Sequence, residues 1–207
     1  MSTECVILFD AMDTLVQDPF FTAYPQFFGM PLRALLREKN SDAWPEFERG
    51  QLTESEYAGK AFSDGRAYDY DGLKKAIYDG YQLIEGMEDI LKELCSLNVE
   101  MHMMSNYPVW YRMLDQKLEL SRYLPWTFVS CSTGFRKPDQ NTYQHAIQYL
   151  GRAPQELVLI DDRQENINGA EQAGLQGILF EGADSLRVSL RALGVRLEPP
   201  PSKSKSN

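Results

Sequence analysis

The sequence predicts an α/β protein with a parallel-sheet core and an inserted helical cap. Short apolar runs rich in β-branched residues recur along the chain, and amphipathic helical patterns separate the later runs. Strands that alternate with helices of this length form parallel βαβ units covered on both faces. About ninety residues separate the first two runs, whereas a crossover usually needs little more than about a dozen. We therefore expect a Rossmann-like core that a second unit interrupts once.

The core elements follow in order along the chain. Apolar residues recur at three- and four-residue spacing in the helical patterns, and Gly151 and Gly174 are typical helix stops. The predicted strands are VILF (6–9), VEMHMMS (99–105), WTFVSC (126–131), ELVLID (156–161) and GILF (177–180). The predicted core helices are GMEDILKELCSL (86–97), PVWYRMLDQKLEL (108–120), DQNTYQHAIQYLG (139–151) and NINGAEQAG (166–174).

Helical patterns also fill the inserted segment. Thr53 is a predicted N-cap, and Glu56 completes a capping box with it. The predicted cap helices are PLRALLREK (31–39), SDAWPEFERG (41–50), LTESEYAGKAF (52–62) and DYDGLKKAIYDGY (69–81). We assign residues 18–84 to the cap and residues 1–17 and 85–195 to the core. The proline-, serine- and lysine-rich segment 196–207 has no apolar anchor and is predicted to be disordered.

Composition narrows the class of partners. A net charge of −9 without a basic stripe argues against nucleic acid as a partner. No apolar run approaches the roughly 18 residues of a membrane span. The three cysteines show neither CxxC nor metal-ligand spacing, which is typical of reduced thiols in an intracellular protein. We expect a soluble, cytoplasmic protein, or a plastid one if the chain is a processed or trimmed form; its oligomeric state is left open.

Polar side chains stand where four predicted strands end. They are Asp10, the pair Ser105–Asn106, the loop residues 136–139 with Lys137, and the pair Asp161–Asp162. Taken singly, each is explained by a helix cap, a turn or an exposed lysine. Parallel sheets bind ligands outside the carboxyl ends of their strands. Clustered carboxylates repel one another unless protons or a divalent cation intervene, and oxygen ligands suit Mg²⁺. The set therefore predicts a Mg²⁺ site beside an anion site.

The order of four motifs resembles the haloacid dehalogenase (HAD) superfamily of hydrolases. The motifs are FDAMDTL, MSNYP, RKPD and IDDRQENINGAEQAG, and the resemblance covers about residues 5 to 180. It implies a HAD-like core in which Asp10 is the nucleophile and forms an aspartyl-phosphate. Lys137 would neutralise charge on the nucleophile and the phosphate. Ser105 and Asn106 would hold the phosphoryl oxygens, and Tyr107 beside them is counted as substrate-binding.

The same resemblance implies a set of Mg²⁺ ligands. Asp10 and Asp162 would bind the metal directly, and the main-chain carbonyl of Met12 would add another oxygen. Asp161 would act indirectly or through water. Asn166 falls on the polar position that follows in the fourth motif.

The first motif departs from the phosphatase pattern. Phosphatases of this superfamily carry a second Asp two residues after the nucleophile, as general acid and then general base, and here that position is Met12. A thioether can do neither, and losing such a group typically costs on the order of 10²–10⁴ in rate. Asp13 is a hypothetical substitute if the loop is re-registered; alternatively, it is a turn or capping residue.

Two other functions fit this departure. The 2-haloacid dehalogenases also lack the second Asp and displace halide without metal, but the pair Asp161–Asp162 favours metal-dependent phosphoryl transfer. The other alternative is a non-catalytic protein that binds a phosphorylated metabolite.

Longer stretches resemble a narrower group, the plant plastid flavin mononucleotide (FMN) hydrolases. These stretches are FDAMDTLVQDPFF, PQFFGMPLRALLREK with WPEFERG, and SNYPVWY. The resemblance implies hydrolysis of FMN to riboflavin and phosphate, or of another small phosphometabolite. Aromatic residues that could stack on a flavin, or pack as core, are Phe20, Phe21, Tyr24, Phe27, Phe28, Tyr107, Trp110 and Tyr111.

Overall fold

The computed structural model describes residues 5–198, in which a five-stranded parallel sheet forms the core with the strand order β5-β4-β1-β6-β7. The strands are β1 (Val6–Phe9), β2 (Val16–Gln17), β3 (Gln82–Leu83), β4 (Met101–Ser105), β5 (Phe128–Val129), β6 (Leu157–Asp161) and β7 (Gln176–Leu179). The helices are α1 (Phe20–Phe28), α2 (Leu32–Glu38), α3 (Ala43–Glu48), α4 (Glu54–Lys60), α5 (Tyr70–Gly80), α6 (Met87–Ser96), α7 (Tyr111–Leu118), α8 (Ser130–Thr133), α9 (Gln140–Leu150), α10 (Gln164–Gln172) and α11 (Ala183–Ala192). The predicted α/β class with a parallel sheet is confirmed.

Strand β1 is the middle of the sheet and is buried along its whole length. Ile7 and Phe9 enter one apolar core, and the two alternate residues enter the other, on the opposite face of the sheet. Burial on both faces explains why the run VILF is apolar throughout and does not alternate. In the register of the sheet, Phe9 lies opposite Met103 of β4 and Ile160 of β6. The residues that follow these three strands therefore meet at one sheet edge.

Helices α1 to α5 lie between the short strands β2 and β3, which pair with each other in an antiparallel ribbon. In this segment Thr53 caps α4 as predicted: its Oγ accepts from the Glu56 N–H at 3.3 Å, and its own N–H donates to the Glu56 carboxylate at 2.8 Å. The ribbon encloses residues 18–81, so β3 lies inside the segment 18–84 that we assigned to the cap. That domain division remains a prediction.

Several predicted boundaries were wrong. Helix α1 was not among the predicted helices; it continues through Pro25 and ends at Gly29 in the left-handed region. Helix α11 was also not assigned, although Leu186 and Leu190 give it a buried stripe. The predicted strand 126–131 pairs only over Phe128–Val129, because the chain then turns into the short helix α8.

The described chain stays packed beyond the predicted start of the tail. Leu197 is only 2% exposed, and the Glu198 N–H donates to the carboxylate of Glu93 in α6 at 3.0 Å. The predicted start of disorder at residue 196 is therefore too early. Positions 199–207 lie outside the described residues.

The structure also bears on the cysteine and membrane predictions. Cys5 is buried, Cys95 and Cys131 are half-buried, and all three are free thiols. Within residues 5–198, every helix is too short or too polar to cross a bilayer.

Candidate active site

Asp10 directly follows the central strand. Its backbone N–H donates to the carbonyl of Ile160 at 2.9 Å, so the pairing of β1 with β6 continues one residue past the strand. The side chain is 7% exposed and accepts from Lys137 Nζ at 2.8 Å. Burial raises the pKa of Asp10 to about 7, because the opposing charge of Lys137 does not fully offset desolvation and Asp161 adds repulsion. A cation bound at this edge would favour the ionised, nucleophilic form of Asp10.

Lys137 is fully enclosed, with 1% exposure. Its ammonium donates to Asp10 Oδ1 at 2.8 Å, to Asp161 Oδ2 at 2.6 Å and to the Met104 carbonyl at 2.6 Å. Burial by itself would lower the pKa of Lys137, but the carboxylates of Asp10 and Asp161 raise it above its ordinary value. Lys137 is therefore a permanent cation that links the ends of two neighbouring strands.

Asn106 holds the backbone of Lys137. The Asn106 amide donates to the Lys137 carbonyl at 2.9 Å and accepts from the Lys137 N–H at 2.8 Å. The amide thus fixes the loop that supplies the ammonium. Asn106 also lines the cavity described below, and its predicted contact with phosphoryl oxygens remains a prediction.

Asp10, Asp161 and Asp162 form the acidic cluster. One carboxylate oxygen from each lies within 4.8 Å of the other two. Burial, followed by repulsion from Asp161, raises the pKa of Asp162. The cluster holds three carboxylates against one ammonium, so a divalent cation would relieve its repulsion.

The donor atoms around the acidic cluster fit a hard cation such as Mg²⁺. Asp161 accepts hydrogen bonds from Lys137, from Asn166 Nδ2 and from the Arg163 N–H, and its indirect role toward the metal remains a prediction. The Asn166 Oδ1 atom is buried and has no hydrogen-bond partner in the described part of the chain. An acceptor left unpaired beside three carboxylates suits a bound cation or its water.

Ser105 ends strand β4 and is 2% exposed. Within residues 5–198 its hydroxyl has no hydrogen-bond partner. A buried hydroxyl without a partner costs free energy that an anion's oxygen would offset, so the site fits the predicted role of Ser105. Tyr107 is placed differently: its hydroxyl pairs with that of Tyr81 at 2.7 Å, and it contributes its ring to the cavity wall.

The loop after β1 places Met12 and Asp13 in the cavity wall. The Met12 carbonyl accepts none of the backbone hydrogen bonds that the structure gives this loop, which leaves it free for the predicted metal contact. Asp13 has the left-handed φ of 54°, and its Oδ1 accepts from the Asp18 N–H at 3.0 Å. Asp13 is thus a turn-forming residue whose charge also acts on Asp162.

A cavity of about 420 Å³ extends from the acidic cluster to helices α1–α3. Five of the eight aromatic residues considered for stacking line it: Phe20, Phe21, Tyr24, Tyr107 and Trp110. The other three pack against the core, which is the second of the two roles considered for them. Phe27 packs on Phe28, Phe28 on Phe62 and Tyr68, and Tyr111 on Trp126.

Three charged residues of the cavity wall, Asp18, Lys39 and Glu48, were not predicted as site residues. Burial raises the pKa of Asp18 to about 6 and lowers that of Lys39 to about 8. Burial also raises the pKa of Glu48, despite its ion pair with Arg136. Glu48 joins α3 to the core, because its backbone carbonyl also accepts from Ser130 Oγ. Asp18 precedes Pro19 at the predicted start of the cap, and no short motif in the sequence marks any of the three for the cavity wall.

Known proteins resemble this chain in sequence and in fold. The family of haloacid dehalogenase-like hydrolases matches residues 6–174. The chain is 44% identical over 195 residues to the chloroplast protein flavin mononucleotide hydrolase 1 of Arabidopsis thaliana, covering 94% of this chain and 80% of that one. A predicted HAD-like family hydrolase from Porphyromonas gingivalis superposes with a TM-score of 0.73 at 18% identity, covering 93% of this chain and 98% of that one.

A further solved structure with the same fold contains ligands. It is an aspartate-to-alanine variant of a HAD family enzyme from Bacteroides thetaiotaomicron, in complex with magnesium and inorganic phosphate. It superposes with a TM-score of 0.72 at 16% identity, covering 86% of this chain and 94% of that one.

Proposed function

This chain belongs to the haloacid dehalogenase-like hydrolases, and we propose that it is a Mg²⁺-dependent phosphatase that hydrolyses FMN to riboflavin and phosphate. The observation that carries the proposal is the Lys137 ammonium, held between the carboxylates of Asp10 and Asp161 at 2.8 and 2.6 Å. It leaves Asp10 as a buried, cation-paired nucleophile beside a cluster that fits Mg²⁺.

The reaction divides into two displacements at phosphorus. An Asp10 carboxylate oxygen attacks the phosphorus, the bond from phosphorus to the ester oxygen breaks, and the departing alcohol oxygen takes up a proton. Water then attacks the aspartyl-phosphate and loses a proton. The bond from phosphorus to Asp10 breaks, which releases phosphate and restores the carboxylate. When bound, Mg²⁺ supplies positive charge that offsets the phosphoryl oxygens.

The residues around Asp10 assist both displacements. The Lys137 ammonium lies against Asp10 and neutralises charge that builds up there. The unpaired hydroxyl of Ser105 donates to a phosphoryl oxygen. Asp13, which shares the cavity wall with Met12, gives the proton to the alcohol and takes the proton of water in place of the missing second aspartate.

The cavity supports FMN as the substrate. Its volume of about 420 Å³ lies in the range of small-ligand sites. The rings of Phe20, Tyr24 and Trp110 line it, and aromatic rings stack favourably on a flat heterocycle. The similarity to the Arabidopsis enzyme, which is named for FMN hydrolysis, extends over the cap helices as well as the core.

Phosphate release from a substrate panel tests the proposal. The panel contains FMN, sugar phosphates and nucleotides, each with Mg²⁺ and with a chelator. We expect the highest kcat/KM on FMN, loss of activity in chelator, and loss of activity to background in Asp10→Asn. Asp71→Asn, which changes an exposed aspartate of α5, is the matched control and retains activity.

Three outcomes contradict the proposal. Release of halide from 2-haloacids that persists in chelator would identify a dehalogenase. Tight FMN binding without phosphate release, unaffected by Asp10→Asn, would identify a binding protein. Preferred cleavage of another member of the panel would leave a phosphatase but exclude FMN as its main substrate.

A further inference from the structure

The Lys39 ammonium lies in the cavity wall among three aromatic rings. Its Nζ is 4.3 Å from the ring centre of Tyr24, 4.7 Å from that of Phe20 and 5.7 Å from that of Trp44. Burial lowers the pKa of Lys39 to about 8, with Asp18 acting in the opposite direction. At neutral pH the side chain is therefore a poorly solvated cation with N–H donors to offer.

The backbone around Lys39 is fixed by a short antiparallel contact within the cap. The Asn40 N–H donates to the Ala61 carbonyl at 3.0 Å, and the Ser63 N–H donates to the Glu38 carbonyl at 2.9 Å. The Ser63 hydroxyl donates to the Lys39 carbonyl at 3.2 Å. These hydrogen bonds hold in place the segment that positions the Lys39 ammonium among the aromatic rings.

Lys39 differs from the other cations that line the cavity. Arg136 is paired with the buried carboxylate of Glu48. Arg163 has a side chain that is 55% exposed and lies 3.9 Å from Glu165. Within residues 5–198, the Lys39 ammonium forms no ion pair and no hydrogen bond, although its pKa is sensitive to Asp18. Its N–H donors are available to a ligand.

Lys39 lines the same cavity as Asp10 and Asp162, on the wall that carries Phe20, Tyr24 and Trp44. The carboxylate whose charge acts on it is that of Asp18, next to the cap ribbon, and not those of Asp10, Asp161 or Asp162. A phosphoryl group held at Asp10 would leave its alcohol part in the same cavity, whose wall includes Lys39.

We propose that Lys39 is a specificity-determining residue that donates hydrogen bonds to the acceptor edge of a flat leaving group held against Phe20, Tyr24 and Trp44. This inference rests on the proposed phosphatase function. It defines the substrate class as phosphomonoesters of alcohols that carry a conjugated ring with carbonyl or ring-nitrogen acceptors. Short aliphatic phosphomonoesters fall outside this class, because they place no acceptor near Lys39.

Steady-state kinetics on two substrates tests the assignment. The variants are Lys39→Met, Lys39→Arg and the control Lys60→Met, which changes an exposed lysine of the same cap. We expect Lys39→Met to raise KM for FMN roughly tenfold or more, since a buried hydrogen bond to a charged donor is lost. Its kcat on FMN should stay within about twofold of wild type, and its kcat/KM on glycerol phosphate should be unchanged. Lys39→Arg should retain most of the affinity, and Lys60→Met all of it.

Riboflavin binding, followed by quenching of flavin fluorescence, gives a second readout that needs no turnover. Lys39→Met should weaken riboflavin binding by a similar factor. Its melting temperature should equal or exceed that of wild type, because the substitution removes a desolvated cation.

The outcomes separate this inference from the proposed function. If wild type cleaves FMN and Lys39→Met leaves KM and riboflavin affinity within twofold, the inference is wrong. Equal losses on FMN and glycerol phosphate would show a merely structural role and also overturn it. If wild type binds riboflavin but does not cleave FMN, the proposed function fails, and weakened riboflavin binding in Lys39→Met still supports the inference. Failure of wild type to bind riboflavin overturns the inference, and cleavage of FMN alone then decides the proposed function.

Discussion

Met12 stands where phosphatases of this superfamily have their acid and base, and a thioether has no proton to exchange. Apart from Asp10 and Asp162, the structure offers three carboxyls in the same cavity wall, Asp13, Asp18 and Glu48. The charge of Asp13 acts on Asp162 of the acidic cluster, whereas that of Asp18 acts on Lys39, and Glu48 is paired with Arg136. Asp13 is therefore the carboxyl that we propose as the proton donor.

Substitution of Asp13 by Asn tests this role. The Asn oxygen can still accept from the Asp18 N–H, so the turn is kept while proton transfer is lost. We expect kcat on FMN, whose alkoxide leaves poorly, to fall by about 10²–10⁴. Aryl phosphates, whose leaving group needs no proton, should lose far less in the first displacement, which a burst of the released phenol in rapid-mixing kinetics measures. Equal loss in both assays, or none in either, would exclude Asp13 as the proton donor.

The residues that the sequence could identify are those tied to strand ends. Asp10, Lys137 and Asp161 converge because a parallel sheet brings its carboxyl ends to one edge, and the motif order names the strands. Lys39 and Asp18 could not be identified in this way. Their burial depends on how α1, α2 and α3 pack against one another, and no short spacing in the sequence records that packing.

At the scale of elements, the end of helix α3 makes a close contact between the segment assigned to the cap and the core. Gly50 follows α3 with a φ of +70°, and a Cβ there would lie 2.3 Å from the backbone carbonyl of Cys131. Glu48 in the same turn pairs with Arg136 and accepts from Ser130. Close approach at Gly50 thus sets where α3 presents Trp44 to the cavity.

Gly50→Ala should weaken this contact between the end of α3 and the core. Gly65→Ala is the matched control, because Gly65 has a similar φ of +67° but open space around it. We expect the control to lose roughly 1 kcal/mol of unfolding free energy from backbone strain alone. Gly50→Ala should lose roughly 2–4 kcal/mol and also raise KM for FMN, since steric overlap is added to the strain. Equal losses in denaturant titrations of the two variants would show that the contact with Cys131 does not matter.

Helices and strands were predicted correctly where the local sequence pattern was uninterrupted. They were missed or misplaced where tertiary contacts determine the secondary structure. The capping box at Thr53 is local and was found. Helix α1 was missed because Pro25 lowers helix propensity, whereas the packing of Ala23 and Tyr24 into the core holds the helix together. The strand at Phe128 was overextended because Ser130 bonds to the cap instead of continuing the ladder.

At the scale of the whole molecule, a net charge of −9 adds to the local repulsion in the acidic cluster. The fold holds these carboxylates together at a cost in stability that a divalent cation would remove. Metal binding should therefore stabilise the folded protein as well as the reaction.

Thermal unfolding with and without Mg²⁺ measures this coupling. At about a hundredfold excess over Kd, one bound ion stabilises by about 2.7 kcal/mol, which for a chain of this size raises Tm by roughly 5–11 °C. Asp162→Asn should abolish the increase, yet it should melt no lower than wild type in chelator, because a repulsive charge is gone. Asp184→Asn, at an exposed position of α11, should behave like wild type. A full increase in Asp162→Asn would place the cation elsewhere.

The ribbon of β2 and β3 constrains how the cap is attached. The two connections between the cap and the core are hydrogen-bonded to each other, with Val16 opposite Leu83 and Gln17 opposite Gln82. Paired strands resist sliding past one another, so the two connections act as one ribbon and not as two independent linkers. A rotation of the cap about that ribbon would change the width of the cavity mouth and keep the lateral alignment of the cap over Asp10. A ligand's ring system and its phosphorus would accordingly stay in line through every opening and closing of the mouth.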